Sequence, residues 1–129
     1  MPINVSISKE DMLAGKILQP GVYVLLIKEI SQAPGKADPD TQTTTIKFIV
    51  ESGPDPKCVG VPIDYYIGEK SWKYQRDFLE KAFGKALPED GANLDIELLK
   101  GRKIKGYVKS EKFQGRDKNK IDGFLPLNT

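Results

Sequence analysis

Histidine is absent from the 129 residues. Its absence removes the commonest general base, the commonest metal ligand and every Ser-His or Cys-His nucleophilic pair, and with them most familiar hydrolase chemistry. Cysteine occurs once, at Cys58, so no internal disulfide can form. No apolar run approaches the roughly 18 to 20 residues of a membrane span. The opening MPINVSISKEDM lacks the basic-then-apolar pattern of a secretory leader, and a cytoplasmic location is the expectation. No GxxxxGK(S/T) occurs and no GxGxxG follows a strand, so nucleotide hydrolysis has no visible machinery.

What is present is ordinary for a soluble chain: 39% hydrophobic and 29% charged residues. The length suits one domain, which can bury a core without a metal or disulfide. A net charge of +2 conceals an uneven distribution. Residues 100 to 120 carry nine Lys or Arg against Glu111 and Asp117, while the remainder holds 11 basic and 16 acidic residues. The pattern predicts a basic face on an otherwise acidic body.

Residues 1–20 read as an arm with one short helix, capped by Ser8 and limited by Gly15 and Pro20. GVYVLLIKEI (21–30) is a strand in which both alternating sets are apolar. That predicts cover on both sides or a dimer surface. The loop SQAPGKADPD separates it from TQTTTIKFIVES, where Ile46, Phe48 and Val50 alternate with Thr45, Lys47, Ile49 and Glu51. After a Gly-Pro-Asp-Pro turn, CVGVPIDYYIG places Val59, Val61, Ile63, Tyr65 and Ile67 on one face, and Pro62 marks an edge or bulged strand. EKSWKYQRDFLEKAFG shifts to helical periodicity and ends at Gly84. Asn93 is a candidate cap for one helical turn, LDIELLKG. RKIKGYVKSEKF is the fourth strand, and a QGRDKN turn leads to the fifth, KIDGFLP. Three strands, a helix and two strands is the order of a five-stranded OB-type barrel, mainly β, formed by a single domain over 1–129.

The fourth strand is the most informative stretch. Ile104, Gly106 and Val108 share the inner parity, and Lys103, Lys105, Tyr107 and Lys109 share the outer one. Successive outer positions stand about 7 Å apart. Ammonium groups at that spacing neutralise phosphates and release counterions, while an aromatic ring stacks on any base. The following segment adds Arg116, Lys118 and Lys120, with Phe113 at its entry, in one of the two loops by which OB folds grip oligonucleotides. Lys47 and Tyr66 extend the platform on strands two and three, whereas Tyr65 shares the core parity. The competing reading of a Lys-rich alternating strand is a solvated, aggregation-resistant face. Trp72, on the apolar side of its helix, is assigned to the core. Glu89, Asp90, Asp95 and Glu97 resemble a metal cluster only superficially, because turn chemistry and the helix dipole favour acids there.

The lead-in SKEDMLAGKILQPGVYVLLIKEI, the strand TTTIKFIVESGP, the aromatic helix and LLKGRKIKGYVKSEKFQGRDKNKIDGFLP together resemble the small single-stranded-DNA-binding proteins of tailed bacteriophages. The resemblance implies an OB fold, sequence-independent covering of single-stranded DNA during phage replication or recombination, and contact with the enzymes of those processes. It places Lys105, Tyr107, Lys109, Phe113 and Arg116 on the binding face. The ending DGFLPLNT departs from the acidic recruiting tail of many such binders, which puts tail-mediated recruitment in doubt.

Three functions follow for comparison. The first is a single-strand binder with no cofactor, no metal and no catalysis. The second is a structural or protein-interaction adaptor, a homo-oligomer through the apolar first strand, without nucleic-acid affinity. The third, a carboxylate and metal nuclease, is the one enzyme class that the missing histidines leave open.

Overall fold

The computed structural model describes residues 2–36 and 38–127; position 37 of the first loop and the last two residues of the DGFLPLNT ending lie outside it. Five strands make one antiparallel sheet: β1 (Gly21–Pro34), β2 (Gln42–Ser52), β3 (Pro62–Gly68), β4 (Lys103–Phe113) and β5 (Arg116–Leu125), in the spatial order β3-β2-β1-β4-β5. Two short α-helices accompany it, α1 (Lys9–Ala14) and α2 (Arg76–Phe83). None of the described helices is long and apolar enough to cross a membrane.

The alternation in the sequence sets the inner face. Ile46, Phe48 and Val50 of β2, Ile63 and Ile67 of β3, and Ile104 and Val108 of β4 are buried, with Tyr23, Leu25 and Ile27 of β1 fully enclosed. Gly106 is also buried, and the packing there requires glycine, since a Cβ would come within 2.8 Å of Leu25 Cδ1. Val59 departs from its expected inward position. It lies in the turn before β3 and is exposed, since the strand begins only at Pro62.

The first strand is covered on one side. Val22 is exposed and Val24 and Leu26 are half-buried, which corrects the expectation of cover on both faces. A register shift between Ile27 and Glu29 makes Lys28 an extra residue against β2 and brings Ile30, of opposite parity, into the core. Its two apolar sets thus reflect partly a bulge and partly an outer stripe, where Leu26 faces Ile49 and Val22 faces Tyr107.

The expected helix over 69–84 is two pieces, a 3-10 helix at Glu69–Tyr74 and α2, joined at Gln75. Gln75 Oε1 accepts a hydrogen bond from Tyr65 Oη at 2.9 Å, tying the joint to β3. Phe78, Leu79 and Ala82 are the buried side of α2. Phe78 meets Phe124 of β5 at a centroid distance of 4.6 Å and Tyr65 of β3 at 5.9 Å. Phe48 completes this aromatic cluster. Lys81 Nζ donates to the Phe124 carbonyl and pairs with Asp77, both at 2.8 Å, fixing the helix to the end of β5. A second 3-10 turn at Ile96–Leu99 is capped by Asp95, whose Oδ1 accepts from Glu97 N–H, and not by Asn93.

The sheet is strongly curled but not closed. Its described pairings stop at β3 on one side and β5 on the other, and no ladder joins these two edges among the described residues. Side chains meet across the seam nonetheless, as Tyr65 and Phe124 do at 5.3 Å. A mainly β, five-stranded antiparallel architecture with few helices is therefore observed, whereas the expected closed barrel is not.

The N-terminal arm crosses this seam. Ser8 caps α1 as expected, its Oγ accepting from Asp11 N–H at 3.1 Å. Residues 16–19 are held from three directions. Asn119 of β5 accepts from Leu18 N–H at 2.9 Å and donates to the Lys16 carbonyl at 2.8 Å. Tyr23 Oη donates to the Gln19 carbonyl at 2.6 Å. Asp55, in the turn between β2 and β3, accepts from Gln19 N–H at 3.4 Å and faces Lys16 at 3.8 Å. Leu18 is fully buried, so the arm contributes to the core.

Candidate nucleic-acid interface

The basic segment after β4 is not a loop. Gln114 and Gly115, at φ 52° and 79°, make a two-residue turn with both φ positive, the geometry that matches the right-handed twist of flanking strands. β5 therefore begins at Arg116, and the expected six-residue loop is the far end of a hairpin. Asn-Gly or Asp-Gly would have announced such a turn; Gln-Gly does not.

Hairpin register decides which side chains gather. Phe113 pairs with Arg116, Glu111 with Lys118 and Lys109 with Lys120. Period-two alternation puts these six on one face, continuous with Lys103, Lys105 and Tyr107. Lys109 and Lys120 stand directly opposite, a repulsive placement relieved by acids on the same face: Lys109 lies 3.3 Å from Asp122, and Lys120 lies 3.3 Å from Glu111. Lys103 pairs with Glu51 at 2.7 Å. The basic face is thus interleaved with carboxylates: Glu111 shares its strand parity, while Glu51 and Asp122 reach its lysines from β2 and β5.

Curling of the sheet brings β3 to this hairpin. Lys118 Nζ lies 5.5 Å from the Tyr66 ring centroid and 5.5 Å from the Phe113 centroid, one cation over two rings carried by different strands. Both rings are more than half exposed, at 56% and 61%. Tyr65, in contrast, points into the aromatic cluster, as its parity predicts. Tyr66 Oη donates to Asp64 at 3.4 Å, and burial, followed by the Asp64 charge and that hydrogen bond, raises the phenol above its ordinary value of 10.0. The ring is neutral near pH 7, with no charge to repel a phosphate.

Tyr66, Phe113, Lys118 and Lys120 line a cleft of about 250 Å³ together with Asp64 and Glu111. A neighbouring cleft of about 290 Å³ joins Lys47 to Tyr66 and Lys118, with α1 along its other wall. Arg116 flanks Phe113 and Lys118 at the hairpin tip. Lys103, Lys105 and Tyr107 lie further along β4, outside these clefts, with Tyr107 41% exposed. The ten candidate residues therefore form two groups on one face: a cleft group at the seam and a row along β4. Asn119, which holds the arm from within the seam, carries no sequence signal, because an isolated Asn in a polar segment is indistinguishable from a turn residue.

No family model matches the chain, and no curated protein matches it.

Proposed function

We propose that the protein binds single-stranded DNA with little regard to base sequence, on the face formed by β3 and the β4–β5 hairpin, and carries out no catalysis of its own. The observation that carries this reading is the ammonium of Lys118 set between the exposed rings of Tyr66 and Phe113. Exposed rings stack bases of any identity, and the cations around them follow the phosphates.

The strand order supports an OB-type ancestry for the fold. β1 to β3 form a meander, a helical segment follows β3, and β4 returns to β1 with β5 beside it. Protection of DNA during phage-type replication or recombination, in the host cytoplasm, is the role in which such a binder fits, alongside the enzymes of those processes.

The test is a fluorescence-anisotropy titration of labelled oligo-dT against duplex of the same length, at low and moderate salt. Tight, salt-sensitive binding to the single strand alone is the expected result. Absence of binding to either at low salt overturns the reading and favours an adaptor role without nucleic acid.

A further inference from the structure

The two halves of the proposed site sit on opposite banks of the seam. Tyr66 belongs to β3, and Lys118 and Phe113 belong to the hairpin of β4 and β5. Within a sheet, the distance between neighbouring side chains is fixed by ladder hydrogen bonds. No ladder joins β3 to β5 among the described residues, so something else must set this gap.

The N-terminal arm is placed to do so. Its residues 16–18 are bonded to Asn119, immediately beside Lys118, by two hydrogen bonds of 2.8 and 2.9 Å. Asp55, in the turn leading to β3, holds Lys16 and Gln19. Leu13 of α1 packs near Gly60, and Asp11, Ala14, Gly15 and Ile17 wall the same cleft as Tyr66, Lys47 and Lys118. The arm is thus fastened to both banks and walls the cleft that holds the pair whose spacing matters.

Resting on the single-strand reading above, we infer that Asn119 is a positioning residue for strand binding: by pinning the arm across the β3–β5 seam it holds the hairpin so that the Lys118 ammonium stays beside both the Tyr66 and the Phe113 rings. The carboxamide suits the task because it satisfies a backbone N–H and a backbone carbonyl at once, which neither Asp nor Ala can do. Linkage makes the effect reciprocal. A strand lying on both banks must tighten the arm to the same degree that the arm favours the strand.

Two measurements test this on the full-length protein. The Asn119→Ala variant is titrated with oligo-dT across a salt series, and amide hydrogen exchange at Leu18 is followed in the unaltered protein with and without oligo-dT. The expected results are an affinity loss of about five-fold or more, and a salt slope lower by about 0.7, corresponding to one lost phosphate contact. Slower Leu18 exchange on adding the oligonucleotide is expected alongside. If the unaltered protein binds oligo-dT while Leu18 exchange ignores it, the inference fails and the binding reading stands. Equal affinity and slope in a folded Asn119→Ala variant overturn it as well. If that variant does not fold, the exchange measurement on the unaltered protein decides alone. If the unaltered protein binds no oligo-dT, the binding reading fails first and takes this one with it.

Discussion

Lys118 and Tyr66 meet across an edge that no ladder spans among the described residues: the ammonium of a β5 residue stands 5.5 Å from the ring centroid of a β3 residue. Their proximity arises from the curl of the sheet, the aromatic cluster beneath it and the arm that crosses the seam. It places one ammonium beside two exposed rings in a cleft lined by residues of three strands.

Phe113→Ala and Lys118→Ala should fail differently. Removing the exposed ring is expected to cost about 1–3 kcal/mol of single-strand affinity while leaving the salt dependence unchanged. Removing the cation should lower the salt slope by about 0.7. Anisotropy titrations across a salt series separate the two, and identical slopes in both variants would remove Lys118 from the phosphate path.

Glu51→Gln should strengthen binding. Glu51 holds Lys103 at 2.7 Å, so a phosphate must compete with a carboxylate already in place. Neutralising that carboxylate is expected to raise affinity and steepen the salt slope, whereas Lys103→Ala in the unaltered background should have a smaller effect than Lys118→Ala. An unchanged affinity in Glu51→Gln places Lys103 outside the site.

Gly53→Ala should destabilise the fold. A Cβ at position 53 would collide with the Tyr23 ring at Cδ1, and Tyr23 is fully buried with its hydroxyl bound to the Gln19 carbonyl. Overpacking of this kind costs about 1–3 kcal/mol, readable in a denaturant titration. A stability equal to that of the unaltered protein would show that the ring moves aside freely.

Acid should loosen the arm. The Asp55 carboxyl is held below its ordinary value of 3.8, chiefly by the N–H of Lys57, then by the N–H of Gln19 and the charge of Lys16, with burial opposing. A depressed folded-state value means that the stabilisation is complete above about pH 3.8 and is lost as pH falls through the folded value. Thermal melts from pH 5 downward should therefore show the unaltered protein losing its advantage over Asp55→Asn. A constant difference between the two would exclude Asp55 as the titrating group.

Much of the fold was legible locally. Alternation placed Ile46, Phe48, Val50, Ile104 and Val108 inside, and Lys103, Lys105, Tyr107 and Lys109 outside, because strand parity is a property of neighbouring residues alone. Tyr66 was separated from Tyr65 on the same ground. Three features resisted. The bulge at Lys28 switches the parity of β1 without any Gly or Pro to mark it. The Gln114–Gly115 turn lengthened β5 by four residues beyond its expected start at Lys120. The joint at Gln75 interrupts a continuous helical periodicity, and its amide accepts from Tyr65 of β3, a partner ten residues back that helical period does not reveal.

The amino-acid order by itself thus determined a single β-rich chain without histidine chemistry, which faces of its strands are apolar, and where positive charge concentrates. Those properties need only composition and the period of a strand. Which edges approach one another, which lysines are already paired with acids, and that Tyr66 shares a cleft with Lys118 and Phe113 were decided only by the tertiary structure. Curl, register and arm docking depend on contacts between segments far apart in the chain, and no local pattern encodes the distance between two edges that no ladder joins among the described residues.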